Sequence, residues 1–297
     1  MTAVVVRFLR LRSYNIVTVV YNMNVKIIDL HNDLPTVLSD RTEYQNNKKS
    51  GYRSIYALYR GERTLEEIKK CYDFAKQSGA EYFAFEDACY KNEEKFFEFT
   101  EKVKPFYVSL CWNYENEYAS GCLSTGGIKK SGYKFVKRLN KLNIPLDLAH
   151  ADRRTFFQAL DVADKVLCSH TSFSFICDKK RNIDDEQIKA IIERKGIIGA
   201  CFVGYFLGTK FGDYKEAKMA FYRLIDGFLQ NYGDNNLCVG SDMFGSDFLA
   251  FSSYNEFFNE FCDCFLSRIG DMKSLEKILY KNALGFFGER RFDKTVR

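Results

Sequence analysis

Three histidines occur in the 297 residues, and each closes a short apolar run: His31 ends KIIDLH, His150 ends PLDLAH and His170 ends KVLCSH. Two carboxylates stand in the same kind of place, Glu86 at the end of FAFE and Asp242 at the end of LCVGSD. Neutral imidazole and ionised carboxylate are the donors that proteins offer to divalent transition metals. Taken singly, a histidine at a strand end is more often a hydrogen-bonded structural residue. All three behaving alike, with two carboxylates following the same rule, points to a metal-site constellation. Side chains two apart on a strand point the same way, so alternation predicts that Asp29, His31 and Asp33 share one face. Asp87 beside Glu86 and Asp247 near Asp242 stand as alternatives for those two positions. Cys168, two residues before His170, reads as a buried thiol. The run Lys179-Lys180-Arg181 reads as a solvated face, notable only because it follows a histidine strand.

Residues this far apart in the chain meet only if the elements carrying them converge. Eight short apolar runs (25–31, 53–59, 81–86, 106–111, 144–150, 165–170, 196–203 and 236–242) alternate with charged stretches of helical period. Repeated βα units of this kind predict an α/β fold, a (β/α)8 TIM barrel of the metal-dependent hydrolase type. In such a barrel the functional side chains gather at the C-terminal rim of the strands. The helix predicted over 64–77 opens with Thr64 and carries Glu67 three residues on, a capping box. Another, over 184–195, begins Asp-Asp-Glu and stops at Gly196, matching the preferences of both helix ends. Residues 23–297 are expected to form this single catalytic barrel. Residues 1–22 carry Arg7, Arg10 and Arg12 among apolar residues and no small-residue cleavage site. They read as an N-terminal extension, with the true start at Met23.

Composition narrows the function. Hydrophobic residues make up 46% and charged residues 28%, which excludes a disordered chain. No apolar run reaches the ~18 residues of a membrane span, so no membrane partner is expected. The net charge of +5 is spread along the chain, without the clustered basic stripes that nucleic acid requires. Small molecules are the expected partners, and an aromatic-rich chain leaves a homodimer open. Ten cysteines include no CxxC pair, and four fall in predicted strands. They read as reduced thiols of a cytoplasmic protein.

Asp29-Leu30-His31-Asn32-Asp33-Leu34-Pro35 resembles the opening metal motif of the membrane (renal) dipeptidase family of binuclear zinc peptidases, in its bacterial form. Asp147-Leu148-Ala149-His150 resembles the second histidine motif of that family, and Ser169-His170-Thr171-Ser172 the third. Arg181-Asn182-Ile183-Asp184-Asp185 is similar to its Arg-Asn segment and Gly240-Ser241-Asp242 to its late Gly-Asp segment. Lys281-Asn282-Ala283-Leu284 resembles the C-terminal Gly-Asn-Ala signature, with Lys in place of Gly. The order and spacing agree from residue 23 to about 288.

The resemblance implies a (β/α)8 barrel holding two Zn²⁺, or Mn²⁺, that share a hydroxide. His31 and Asp33 would bind one ion, His150 and His170 the other, and Glu86 would bridge both. Asp242 would be the acid/base carboxylate, and Arg181 would receive the carboxylate of a small dipeptide. The implied activity is hydrolysis of small dipeptides, L,D-dipeptides included. Two departures stand out. Trp112, in Val108-Ser109-Leu110-Cys111-Trp112-Asn113, takes the place of a substrate-holding histidine of the mammalian members. Indole offers one N–H donor and no basic nitrogen. Glu86 is followed by Asp87-Ala88-Cys89 rather than by the usual glycines. The family tyrosine after the Arg181 helix corresponds loosely to Tyr205. Trp112 keeps open a second function, a binuclear barrel hydrolase acting on a non-peptide amide, lactam or ester.

Overall fold

The computed structural model describes residues 26–37 and 41–292, so the predicted extension 1–22 and the start at Met23 lie outside the described residues. Eight parallel strands close into a barrel in chain order. They are β1 (Ile27–Asn32), β2 (Tyr52–Tyr59), β3 (Tyr82–Glu86), β4 (Val108–Ser109), β5 (Leu146–Asp147), β6 (Val166–Thr171), β7 (Ile197–Ala200) and β8 (Leu237–Val239). Each overlaps one of the eight apolar runs, and Asp29 paired with Val239 closes the ring. The predicted (β/α)8 barrel is the observed fold.

Apolar side chains from the strands fill the interior, among them Ile28, Leu30, Ile55 and Leu167. The lower end is sealed by Phe106 and by Ala283, Phe287 and Phe292 of the C-terminal segment. Asn282 of the Lys-Asn-Ala-Leu motif ties that segment to β8, its amide donating to the carbonyls of Asp234 (2.6 Å) and Leu237 (2.8 Å). The motif therefore holds the barrel floor and stands away from the rim.

Local signals at the helix ends act as the sequence predicts. Thr64 Oγ1 accepts from Glu67 N, and the Glu67 carboxylate accepts from Thr64 N at 2.8 Å, opening the helix Leu65–Gln77. Asp184 caps Asp185–Glu193, and Gln187 bonds back to the cap. Thr64→Ala removes one side of such a box and is expected to cost about 1 kcal/mol of stability, read as a lowered urea midpoint at unchanged activity.

Two predictions about strand geometry are corrected. Asp29 and His31 do not share a face, because the register of β1 on β2 shifts between Asp29 and Asn32. Asp29 turns to the outer helix Tyr254–Arg268, accepting from the Tyr254 hydroxyl, whereas His31 meets Tyr107. Tyr107 packs with Ile28 and Leu30 in the interior. A bulge resets the two-residue alternation, and bulges of this kind re-aim side chains next to functional sites. The other correction concerns length. β5 and β8 stop short of the predicted runs, so His150 and Asp242 stand three residues beyond them on left-handed backbone, with φ of 67° and 60°. Such φ values are uncommon for residues other than glycine and cluster where a side chain must be aimed.

Among the described residues, no helix is long and apolar enough to cross a membrane. All ten cysteines are free thiols.

Candidate metal centre

The three imidazoles are oriented by the same device. Tyr107 donates its only hydroxyl proton to Leu30 O at 2.7 Å, so it accepts from His31 Nδ1 at 2.8 Å. Ser169 donates to Asp147 Oδ2 at 2.6 Å and accepts from His170 Nδ1 at 2.7 Å. His150 Nδ1 donates to Asn113 Oδ1 at 2.8 Å. Each ring therefore carries a proton on Nδ1 and turns its Nε2 to the site. Fixing the tautomer through the other ring nitrogen is how proteins prepare a ligating histidine.

Those three Nε2 atoms converge on Glu86. Its Oε2 lies 3.5 Å from His31, while Oε1 lies 2.9 Å from His150 and 3.8 Å from His170. One carboxylate oxygen thus faces His31 and the other faces the remaining pair. His150 Nε2 and His170 Nε2 stand 2.9 Å apart, and Asp33 Oδ2 is 3.3 Å from His31 Nε2. Two trios, His31 with Glu86 and His170, and His31 with Asp33 and Asp242, hold their donor atoms within 4.8 Å of one another. His31 Nε2 and Asp33 Oδ1 are buried without a hydrogen-bond partner. Bare nitrogens facing each other among carboxylates repel unless a cation lies between them, so the donor set fits a divalent metal.

Electrostatics separate the three rings: against burial, Tyr107, Asp33 and Glu86 push His31 well above its ordinary value, favouring a positive charge at that ring. Burial, and then the Arg181 guanidinium, push His150 down to about 4 and keep it a neutral donor. His170 is held well below its ordinary value by burial, His31 and Arg181. Burial opposes ionisation of Glu86, but His31 and His150 hold its carboxyl well below the usual range. Asp242 moves the other way, raised by burial and by the charge of Asp33. Two carboxylates of opposed tendency in one site are the usual basis of an acid/base division.

Behind the donors, two aspartates clamp neighbouring strands. Asp29 accepts from Ser241 N (2.8 Å) and Ser241 Oγ (2.5 Å), fixing the residue before Asp242. Asp147 accepts from Ser169 N (2.8 Å) and Oγ (2.6 Å), fixing the residue before His170. Gly245 lies beneath Asp33 and Asp242. A Cβ there would sit 2.2 Å from Asp242 Oδ1 and 2.4 Å from Asp33 Oδ2. Gly245→Ala must displace one carboxylate and is expected to lower kcat about tenfold or more, with little change in urea midpoint.

The donors open into a cavity of about 300 Å³ lined by Asp33, Glu86, His150 and Asp242, with Tyr59 and Trp112 on one side and Tyr205 at the mouth. Trp112 is half-buried, its ring 5.8 Å from His150 and 5.4 Å from Tyr59. Tyr205 is exposed and stacks on Phe211 at 6.3 Å. Arg181 is buried, donates from Nη2 to His170 O at 2.8 Å and lies 5.4 Å from the Phe206 ring. Its Nε has no partner.

The sequence profile of the family described as "Membrane dipeptidase (Peptidase family M19)" matches residues 103–293. The chain belongs to the membrane dipeptidase family. His150, His170, Arg181 and Asp242 fall inside that stretch, while His31, Asp33 and Glu86 precede it and join the site through the barrel. A Klebsiella pneumoniae relative, an uncharacterized protein in the pqqA 5' region, is 27% identical over 146 residues, 45% of this chain and 53% of that protein. An uncharacterized dipeptidase of Schizosaccharomyces pombe is 28% identical over 106 residues, 34% of this chain and 26% of its own length. The chain spans about half, or less, of the curated relatives it matches. Among solved structures, a metallo peptidase from Rhodobacter sphaeroides, liganded with a phosphinate mimic of L-Ala-D-Ala, superposes with a TM-score of 0.74. Identity is 14%, over 89% of this chain and 98% of that one. An amidohydrolase from Pseudomonas aeruginosa gives 0.74 at 17% identity, over 90% and 97% of the two chains. These likenesses show the fold, a (β/α)8 barrel.

Of the residues singled out from the sequence, His31, Asp33, Glu86, His150, His170 and Asp242 come together. Asp87 does not join them, because Arg60 (2.9 Å) and Asn116 (3.0 Å) hold its carboxylate. Asp247 is exposed, and Cys168 is fully buried as expected. Sequence reasoning missed Tyr107, Asn113, Tyr59 and Gly245. No local pattern marks them, since each acts on a residue of another strand. Ser169 and Ser241 carried a faint signal, a serine directly before a rim residue of the site in both CSH and GSD.

Proposed function

We propose that the protein is a metallo-dipeptidase hydrolysing small dipeptides, L,D-dipeptides included. The observation that carries this reading is the convergence of three Nδ1-protonated histidines on the two oxygens of Glu86. His31 and Asp33 would hold one Zn²⁺, His150 and His170 a second, with Glu86 between them and Mn²⁺ admissible at the same donors. Bound divalent ions supply Lewis-acid polarisation of the scissile carbonyl and acidify water. The protein does the rest. Asp242 takes the proton from the attacking water as the oxygen–carbon bond forms, then returns it to the amine nitrogen as the C–N bond breaks. Its raised pKa suits a group that must both accept and release that proton. Arg181 receives the terminal carboxylate, which selects dipeptides over internal peptide bonds. Tyr59 and Trp112 wall the cavity. Ten free thiols, most of them buried, support a reducing, cytoplasmic setting.

The decisive experiment measures metal per chain on dialysed protein, together with hydrolysis of Ala-Ala in L,L and L,D forms. Two equivalents of zinc and chelator-sensitive cleavage are expected. Two zincs without cleavage of any dipeptide would favour the non-peptide amide, lactam or ester hydrolase, for which Trp112 on the cavity wall is the reason. A chain that retains no metal would end both readings. Arg181→Lys loses the planar fork and is expected to raise KM for Ala-Ala about tenfold with kcat less affected, checked by steady-state kinetics.

A further inference from the structure

A second hollow, of about 440 Å³, adjoins the metal cavity, and His150 and Arg181 both line it. His150 also lines the metal cavity, so its ring is a wall common to both. The charged lining of the hollow is unbalanced. Arg153 is occupied, its Nε 2.9 Å from Asp184 Oδ2 and its Nη2 on Glu186. Asp184 and Asp152 are further engaged as helix caps, accepting from Gln187 N at 2.9 Å and Thr155 N at 2.7 Å. Lys179, Lys180 and Arg154 also line the hollow, are exposed, and make no ion pair among the described residues. Arg181 joins them with a side chain more than nine-tenths buried and an unpartnered Nε. Asp178 is the one remaining acid on the wall. The helices Arg153–Leu160 and Asp185–Glu193 also begin here, adding the positive ends of two dipoles. Lys179 and Lys180 of the basic run are exposed, as a solvated face should be, yet they border the hollow next to the metal donors, and Arg181 is buried in its wall.

We infer that this hollow receives an acidic side chain on the residue C-terminal to the scissile bond, so that the enzyme prefers dipeptides ending in aspartate or glutamate. The inference rests on the dipeptidase reading above and deepens it. A dipeptide with its carbonyl at the Glu86 donors and its terminal carboxylate at Arg181 places its second α-carbon at the wall where the two spaces meet. A side chain leaving that carbon enters the hollow. A methyl group there gains nothing from Lys179, Lys180 and Arg154, whereas a carboxylate meets three cations that make no ion pair among the described residues. Partly exposed pairs contribute modestly each, so the expected preference is about tenfold and falls with ionic strength.

The test compares kcat/KM for Ala-Glu, Ala-Ala and Ala-Lys, each with L and D second residues, at 0.05 and 0.5 M NaCl. In the wild type Ala-Glu of one configuration should exceed Ala-Ala about tenfold, Ala-Lys should be poorest, and salt should compress the ratio. Lys179→Glu/Lys180→Glu should invert the order, favouring Ala-Lys over Ala-Glu; such a gain cannot come from misfolding. A readout free of turnover is calorimetric affinity. Glutarate should bind the wild-type holoenzyme more tightly than butyrate, and the double variant should erase the difference. Hydrolysis of Ala-Ala at a rate equal to or above Ala-Glu, or an unchanged ratio in the double variant, would overturn the inference while leaving the dipeptidase reading intact. Failure to cleave any of the dipeptides would instead strike the reading on which it rests.

Discussion

Glu86→Gln is expected to remove metal and activity together. Glutamine keeps the shape of glutamate but replaces one anionic oxygen by an amide nitrogen that donates and cannot coordinate. Glu86 faces both halves of the donor set with a separate oxygen, at 3.5 Å from His31 and 2.9 Å from His150. Without its charge the three buried imidazoles lose the anion around which they are gathered. Metal content on dialysed protein should fall to less than half of wild type, and kcat by about 10⁴-fold. Metal bound only to the folded state stabilises it, so the thermal midpoint of the variant should stop responding to added Zn²⁺. A Glu86→Gln protein that kept its full metal complement would show that His31 with Asp33, and His150 with His170, suffice as separate sites.

Asp242→Asn should separate what Glu86→Gln joins. Asparagine preserves volume and the left-handed turn, since Asn tolerates αL better than most residues. It cannot accept the proton of the attacking water. Metal content is expected to stay near wild type while kcat falls about 10²–10⁴-fold, the usual worth of a positioned acid/base. Loss of metal in this variant would instead place Asp242 among the ligands, as its presence in one of the two donor trios allows. Near-normal kcat with metal retained would remove it from the reaction altogether. Both measurements need only metal analysis and steady-state kinetics on the same preparation.

The two variants also mark where sequence reasoning is strong and where it fails. Glu86 lacked the glycines expected after it and had an adjacent rival in Asp87. The barrel separates the two. Glu86 ends β3 and points to the rim, while the next residue takes φ 56° and swings to Arg60. A one-residue shift decides between ligand and structural acid, and local pattern does not resolve such a shift. Asp29 taught the reverse lesson. Strict alternation grouped it with His31, and a bulge that depends on pairing with β2 parted them.

What the amino-acid sequence by itself determined is the list of rim residues and the elements beneath them. Apolar runs stop where the apolar core stops, so a polar residue at the end of a run sits at the edge of that core whatever the strand order. Caps such as Thr64 with Glu67 are equally local, satisfied within one turn of chain. Only the tertiary structure decided which donors meet, which ring nitrogen each histidine offers, and which space lies beyond Arg181. The reason is distance along the chain. Tyr107 sets the tautomer of His31 across 76 residues, and Ser241 meets Asp29 across 212, a contact that exists only once β8 has closed on β1.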